Sequence, residues 1–275
     1  MCVKGFRGLA CSRRALAIPV TYLILFASLI VIISAAYAFA VTRISVKGAQ
    51  LRVLVAKQNM QTLDDVVRSV AWSSGSSKTV YMKDCGGVFQ MHPKAKSLII
   101  NLTDGQTFSQ VVFNDSLGKA FYMLDDLAKS QEGAYVRGDS RAIIDHSAFT
   151  ITQLYFERGE SAQQLVLCYR PMATILTIGT SNGKPLNIIR VYITSLASSQ
   201  MLTLYGSFHL KVSMLNIESS TVEIMFNSSV SSLALEALSE GTKTTIWLPI
   251  ESTSEGAVVS LEVVVCRIQV RRVNI

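Results

Sequence analysis

The chain has 275 residues, 49% of them hydrophobic and 16% charged, which excludes a disordered or low-complexity protein. Its net charge of +7 has the sign of a nucleic-acid binder, yet eight of the 26 basic residues (Lys4, Arg7, Arg13, Arg14, Arg43, Lys47, Arg52 and Lys57) precede the first acid, Asp64. Beyond residue 57 there remain 18 basic against 19 acidic residues, so no nucleic-acid footprint is left and no nucleic-acid partner is expected.

The first element is an apolar run without charge at 15–42. About 28 residues at about 1.5 Å each make a helix of about 40 Å, enough to cross a hydrocarbon core of about 30 Å. The expected organisation is a basic cytoplasmic leader at 1–14, a transmembrane helix at 15–42, an amphipathic stalk helix at 43–72, a linker at 73–78 and a β-rich domain at 79–275. Four cations flank the run on each side, so the positive-inside count does not orient it. Three glycosylation sequons, at Asn101, Asn114 and Asn227, all follow the run. They place the N-terminus inside and the C-terminal domain outside the cell.

Three fates of the apolar run fit these residues. It is a plain signal-anchor, or a secretory signal cut at Ala38-Phe39-Ala40, or the substrate of a peptidase acting before the run. The second requires an apolar region about twice the usual length of such signals. The third rests on Arg13-Arg14-Ala15-Leu16-Ala17, where basic and small residues abut the run. This junction resembles the processing site of archaeal type IV pilin-like precursors, in which a membrane peptidase cuts on the cytoplasmic side and leaves the apolar helix on the mature protein. The resemblance covers residues 12–72. It implies Arg14, Ala15 and Leu16 as the processing residues, with Leu16 the mature N-terminus and Pro19 in the first helical turn, where its missing N–H costs little. Many bacterial relatives carry Glu at the fifth mature position, which here is Val20.

Behind the run, Val46, Ala49, Val53, Ala56, Met60, Leu63, Val67 and Val70 alternate at spacings of three and four, the pattern of a helix with one apolar seam. Asp64 and Arg68 fall off the seam as an i,i+4 pair. Gly48 weakens the helix by up to about 1 kcal/mol. Two covers for the seam are open: the protein's own globular domain, or other subunits meeting it at Val46, Ala49, Val53, Ala56 and Met60. Ser and Gly after Trp72 then end the helix.

From Thr79 onward, short runs rich in Val, Ile, Thr, Tyr and Phe alternate with turn signals, at 97–103, 108–113, 163–169, 188–194, 202–215, 221–226 and 244–249. Asp104-Gly105 and Asn182-Gly183 are hairpin signals. Residues 258–265 are apolar on both faces and read as a central, doubly covered strand, and a short helix is expected at 117–129. The fold class expected is α+β: a long N-terminal transmembrane and stalk helix followed by a mainly antiparallel β-sandwich or jelly-roll-like domain.

No motif for catalysis stands in convincing context. Gly179-Thr-Ser181-Asn-Gly183 spells a nucleophile elbow, but Lys184-Pro185 and another strand follow where a helix is needed, so a hairpin is the better account. Arg137-Gly138-Asp139 reads as a charged turn despite its likeness to an adhesive tripeptide. His92, His146 and His209 lack metal-ligand spacing, Asp145-His146 has no serine joined to it by any pattern, and Asp125-Asp126 reads as a solvated turn. Cys85, Cys168 and Cys266 are an odd number in the outer part, compatible with one disulfide or with none; Cys85, before Gly86-Gly87, is the freest to react.

No cofactor is expected, and the partners expected are the membrane and copies of the chain or other pilin-like subunits. These readings describe a membrane-anchored, extracytoplasmic, non-enzymatic structural or interaction protein. The alternative is a tethered β-sandwich module that binds a ligand such as a glycan, or a hydrolase.

Overall fold

The computed structural model describes residues 13–124, 133–145, 150–159 and 163–273. It divides into two units between Ala49 and Gln50. One helix, α1 (Arg13–Val70), supplies segments to both. In the first unit the side chains of residues 19–47 are exposed, and an 18-residue window of mean hydropathy 2.5 is long and apolar enough to cross a membrane. Such a run of bare Leu, Ile, Val and Phe is compatible with a membrane-spanning segment.

The second unit is built on strands β1 (Ser77–Met82), β2 (Val88–Thr103), β3 (Ser109–Leu124), β4 (Tyr135–Arg137), β5 (Ile144–Asp145), β6 (Thr152–Arg158) and β7 (Gln163–Tyr169). They are followed by β8 (Met172–Ser181), β9 (Lys184–Ala197), β10 (Leu202–Tyr205), β11 (Phe208–Phe226), β12 (Ser232–Ser239), β13 (Thr242–Pro249) and β14 (Ala257–Val273). One sheet has the order β1-β11-β14-β9-β8-β5; the other runs β13-β12-β2-β3-β7-β6-β4, with β10 added to β2. Pairing is antiparallel except for β14 with β9 and β5 with β8. The fold is the expected long helix followed by a mainly antiparallel β domain.

The helix is not a stalk outside that domain. Val53, Ala56, Met60, Leu63 and Val67 lie in the core among Phe89, Tyr122, Phe156 and Leu165 of one sheet and Leu210, Val212, Ile268 and Val270 of the other. Each fully buried Met, Leu or Val contributes about 1.5–3 kcal/mol by leaving water. The cover for this part of the seam is therefore the protein's own domain. Val53, Ala56 and Met60 are not free to meet another subunit, which corrects that expectation, whereas Val46 is exposed. The compact unit starts at Gln50 rather than at Thr79. The helix stops at Val70, and Trp72 takes the left-handed conformation (φ 66°) more often given to Gly, its ring edge-on to Tyr192 at 5.5 Å.

A second core cluster lies between the sheets away from the helix, around Leu98, Ile100 and Leu102 of β2 and Ile189, Val191, Val259 and Leu261. Long strands serve both clusters, and the inward face must change along them. In β14, Val265 belongs to the second cluster and Cys266 to the first, both buried. The strand read at 258–265 is central, between β11 and β9, but Ser260, Glu262 and Val264 on its other face are only half-buried, which corrects the expectation that it is covered on both faces. In β2 an irregularity between His92 and Lys96, spanning Pro93, shifts the register against β3. Where the sheets come closest, Gly118 is obligatory: a Cβ there would stand 2.0 Å from the Leu196 carbonyl oxygen.

The short helix expected at 117–129 is corrected: residues 117–124 belong to β3, with Ala120, Tyr122 and Leu124 in the core, and the remainder lies outside the described residues. The run read at 202–215 is two strands, interrupted at Gly206. Asp104-Gly105 and Asn182-Gly183 do form hairpins, the latter with φ of 54° and 78° as a type I′ turn requires. Glu240-Gly241 makes the same shape, φ 48° and 80°, without the usual Asn or Asp.

If the helix is core, its removal should abolish folding. A chain beginning at residue 50 should give a β-rich circular dichroism spectrum and a cooperative melt, whereas one beginning at residue 73 should do neither. Leu63→Ala should lower unfolding free energy by about 2–5 kcal/mol in a denaturant titration. Independent folding from residue 73 would refute this assignment of the core.

Candidate functional site

The most unusual chemistry of the β domain is inside it. Asp64 is fully buried on the helix and accepts hydrogen bonds from Arg137 Nη1 on β4 (2.6 Å), Thr152 Oγ1 on β6 (2.8 Å) and Tyr169 Oη on β7 (3.1 Å). The exposed pairing with Arg68 read from the seam is thus replaced by an inward one. Arg137 also reaches Asp65 at 2.7 Å. Burial, and next the Asp64 charge, push the Tyr169 hydroxyl well above the ordinary tyrosine range, so it stays a neutral donor.

A second group adjoins the first. The guanidinium of Arg170 is buried and pairs with Asp139, and donates to the Thr150 carbonyl from Nε at 3.0 Å and Nη2 at 2.9 Å. Asp139 also accepts from Arg141 Nε and Nη2 at 3.0 and 2.7 Å. Arg141 first, then Arg170, hold the Asp139 carboxyl well below the usual carboxylate range. Gly138 has φ 77°, and a Cβ would stand 2.2 Å from the Thr152 carbonyl oxygen. Both charges of the 137–139 tripeptide are therefore bound within the chain, as a structured turn.

A third group holds Lys96, Gln153 and Cys168, all buried. Lys96 Nζ donates to Gln153 Oε1 at 2.7 Å and to the Tyr169 carbonyl at 3.3 Å, and lies 3.6 Å from Cys168 Sγ. Nearby, Lys119 pairs with Glu240 and lies 3.5 Å from the Tyr155 hydroxyl. Of this third group the sequence singles out Cys168 alone, and only as one of three cysteines. Lys96 and Gln153 are visible there only as isolated polar residues in apolar strands.

The candidates read from the sequence are dispersed. Gly179 and Ser181 end β8 and run through a hairpin into β9, as expected of a turn and not of a nucleophile elbow. His92 packs edge-on to Phe121 at 5.1 Å, while His209 stacks on Tyr81 at 4.9 Å in the other sheet. No metal-holding group of three His, Cys, Asp or Glu occurs among the described residues; His146, Asp125 and Asp126 lie outside them. Cys85, Cys168 and Cys266 are buried free thiols. Cys85 was the one read as freest to react, but burial pushes its thiol pKa up and corrects that reading.

Arg14, Ala15 and Leu16 fall in the first turn of α1. Among the sequons, Asn114 on β3 and Asn227 after β11 are exposed, the latter accepting a hydrogen bond from Lys184 Nζ at 2.9 Å. Asn101 sits half-buried in β2 between β3 and β12, its Nδ2 donating to Ser109 Oγ at 2.8 Å. An open groove of about 300 Å³ beside it is lined by Ile99, Val111, Leu238 and the Glu236–Lys243 ion pair. Comparisons with protein-family models, curated proteins and solved structures find no match to this chain.

Removing the buried acceptor should be costly. Asp64→Ala leaves Arg137, Thr152 and Tyr169 without it and should destabilise the fold by about 3–5 kcal/mol, with Asp64→Asn milder. Because the folded Asp139 pKa is depressed, its contribution is complete above the unfolded value of about 4 and is lost as pH falls below it. The thermal midpoint should therefore drop on acidification below about pH 4, and drop less steeply in Asp139→Asn. Equal acid slopes for the two proteins would refute that linkage.

Accessibility separates the sequons. In a glycosylating host, or towards reagents acting on the folded protein from outside the cell, Asn114 and Asn227 should be modified and Asn101 not. Modification only from the cytoplasmic side would reverse the expected orientation.

Proposed function

We propose that this chain is a membrane-anchored surface protein of pilin-like design, non-enzymatic, with its N-terminus in the cytoplasm and its β domain outside. One observation carries the reading: a single helix offers an apolar segment exposed on all sides and then a second segment that forms the core of a β domain. A plain signal-anchor has no need to continue into the core of the domain it carries. The reading also explains Pro19. Inside a helix that starts at Arg13, its missing N–H leaves the carbonyl of residue 15 without a donor; in a chain starting at Leu16 it is among the first four residues, whose N–H groups have no helical partner anyway.

With Val53, Ala56 and Met60 consumed by the core, assembly through the helix falls to the exposed residues before Ala49, Val46 among them. The partners are then lipid and the apolar helices of other copies or related subunits.

Mature protein from native membranes should begin at Leu16 and stay in the membrane on alkaline extraction. Crosslinking there should yield oligomers that Val46→Glu disperses without changing the melting of the β domain. A mature start at Val41 with release of soluble protein would overturn the anchor; monomers alone would overturn assembly.

A further inference from the structure

The Lys96 site is built in a way that a simple hydrogen bond does not need. Lys96, Gln153 and Cys168 come from β2, β6 and β7 and are 3%, 5% and 1% exposed. The irregularity in β2 turns Lys96 inward, and Gln153 faces Cys168 directly across the β6–β7 ladder. Lys96 makes no ion pair among the described residues; its acceptors are a carboxamide, a thiol and a backbone carbonyl. An ammonium buried without a counter-charge is a costly group to keep.

The carboxamide is held in one orientation. Gln153 Nε2 donates to the Asp139 carbonyl at 2.8 Å and the Arg141 carbonyl at 3.1 Å, so Oε1 faces Lys96 and Cys168. The Cys168 thiol donates to that oxygen at 3.6 Å. An amine, an acyl carbon, a donor for the acyl oxygen and two acceptors for the departing nitrogen thus surround one amide in a dry site. Such fixed proximity replaces a bimolecular encounter.

We propose that Lys96 and Gln153 join in an intramolecular amide bond. The Nζ lone pair attacks Gln153 Cδ while the Cys168 thiol supports the negative charge that develops on Oε1. The Cδ–Nε2 bond then breaks. Counted from the ammonium, Nζ gives up two protons, Nε2 takes both and leaves as an ammonium ion, and charge is conserved with no oxidant or other reactant. The bond links strands 57 residues apart in sequence across the intervening β3 and β7, and removes the buried charge. A covalent staple of that kind resists forced separation of the strands that frame the helix, a use consistent with a surface protein under load.

Peptide mapping of the full chain, made in a host without N-glycosylation, tests this directly. A lysine in an amide is not cut by trypsin, so the digest should contain a branched species joining residues 95–119 to residues 142–158, lighter than the sum of those two linear peptides by one ammonia. Lys96→Arg should abolish it, leaving 142–158 linear with Gln153 intact. Linear peptides as the only products of the unaltered chain overturn the proposal, as does a branched species that persists in Lys96→Arg. Because the readout is made on the unaltered protein, failure of a variant to fold does not obscure it.

Discussion

A carboxylate with no exposed surface governs how the helix and the sheets meet. Asp64 is expensive to bury, and the expense is offset only when Arg137, Thr152 and Tyr169 all reach it. Those donors stand on β4, β6 and β7, so the requirement fixes the rotation of the helix about its axis and its height along the sheet. Apolar packing alone is more permissive: Met60, Leu63 and Val67 would be buried nearly as well after a small slide or turn. The polar contact selects one arrangement from several of similar hydrophobic energy.

The rest of the domain follows from having a helix between two sheets at one end and no helix at the other. Sheets about 10 Å apart pack on each other directly, but a helix needs that much room for itself. The strands accommodate both by exchanging faces along their length, through the irregularity at His92–Lys96 and the paired burial of Val265 and Cys266. Gly118 against Leu196 marks the crossing point, where even a methyl group is excluded. The same exchange turns Lys96 inward, so the polar groups of the interior arise from the architecture.

Much of this was legible in the residues. The long apolar helix, the apolar seam, most strand positions and two hairpins follow from periodicity and turn chemistry, because each is decided by neighbours within a few residues. What covers the seam is decided by strands a hundred residues away, and periodicity is silent on it. Asp64 looked like a surface residue because a single heptad stripe assumes one partner face; a helix flanked by two sheets buries a wider arc. Residues 117–124 carry Leu, Ala, Phe, Met and Leu, which suit a helix locally, yet pairing with β2 and β7 overrides that preference. The parallel pairing of β14 with β9 has no local signal at all. The buried polar groups were missed for a related reason: a lone Lys or Gln in a strand reads as its solvent side until the register is known.

Charge is partitioned by the same logic. The β domain is close to neutral, and several of its ions are spent on each other: Asp64 with Arg137, Asp139 with Arg170 and Arg141, Lys119 with Glu240. Those pairs contribute to one specific packing and little to the field outside. The excess positive charge stands instead at Lys4, Arg7, Arg13 and Arg14 before the apolar run and at Arg43, Lys47, Arg52 and Lys57 after it. Cations at both ends of a span hold it against anionic headgroups and oppose its sliding in either direction. Long-range electrostatics is therefore concentrated about the apolar run, while short-range, desolvated electrostatics serves the fold, and a ligand of the β domain's surface would have to be recognised by shape and hydrogen bonding more than by net charge.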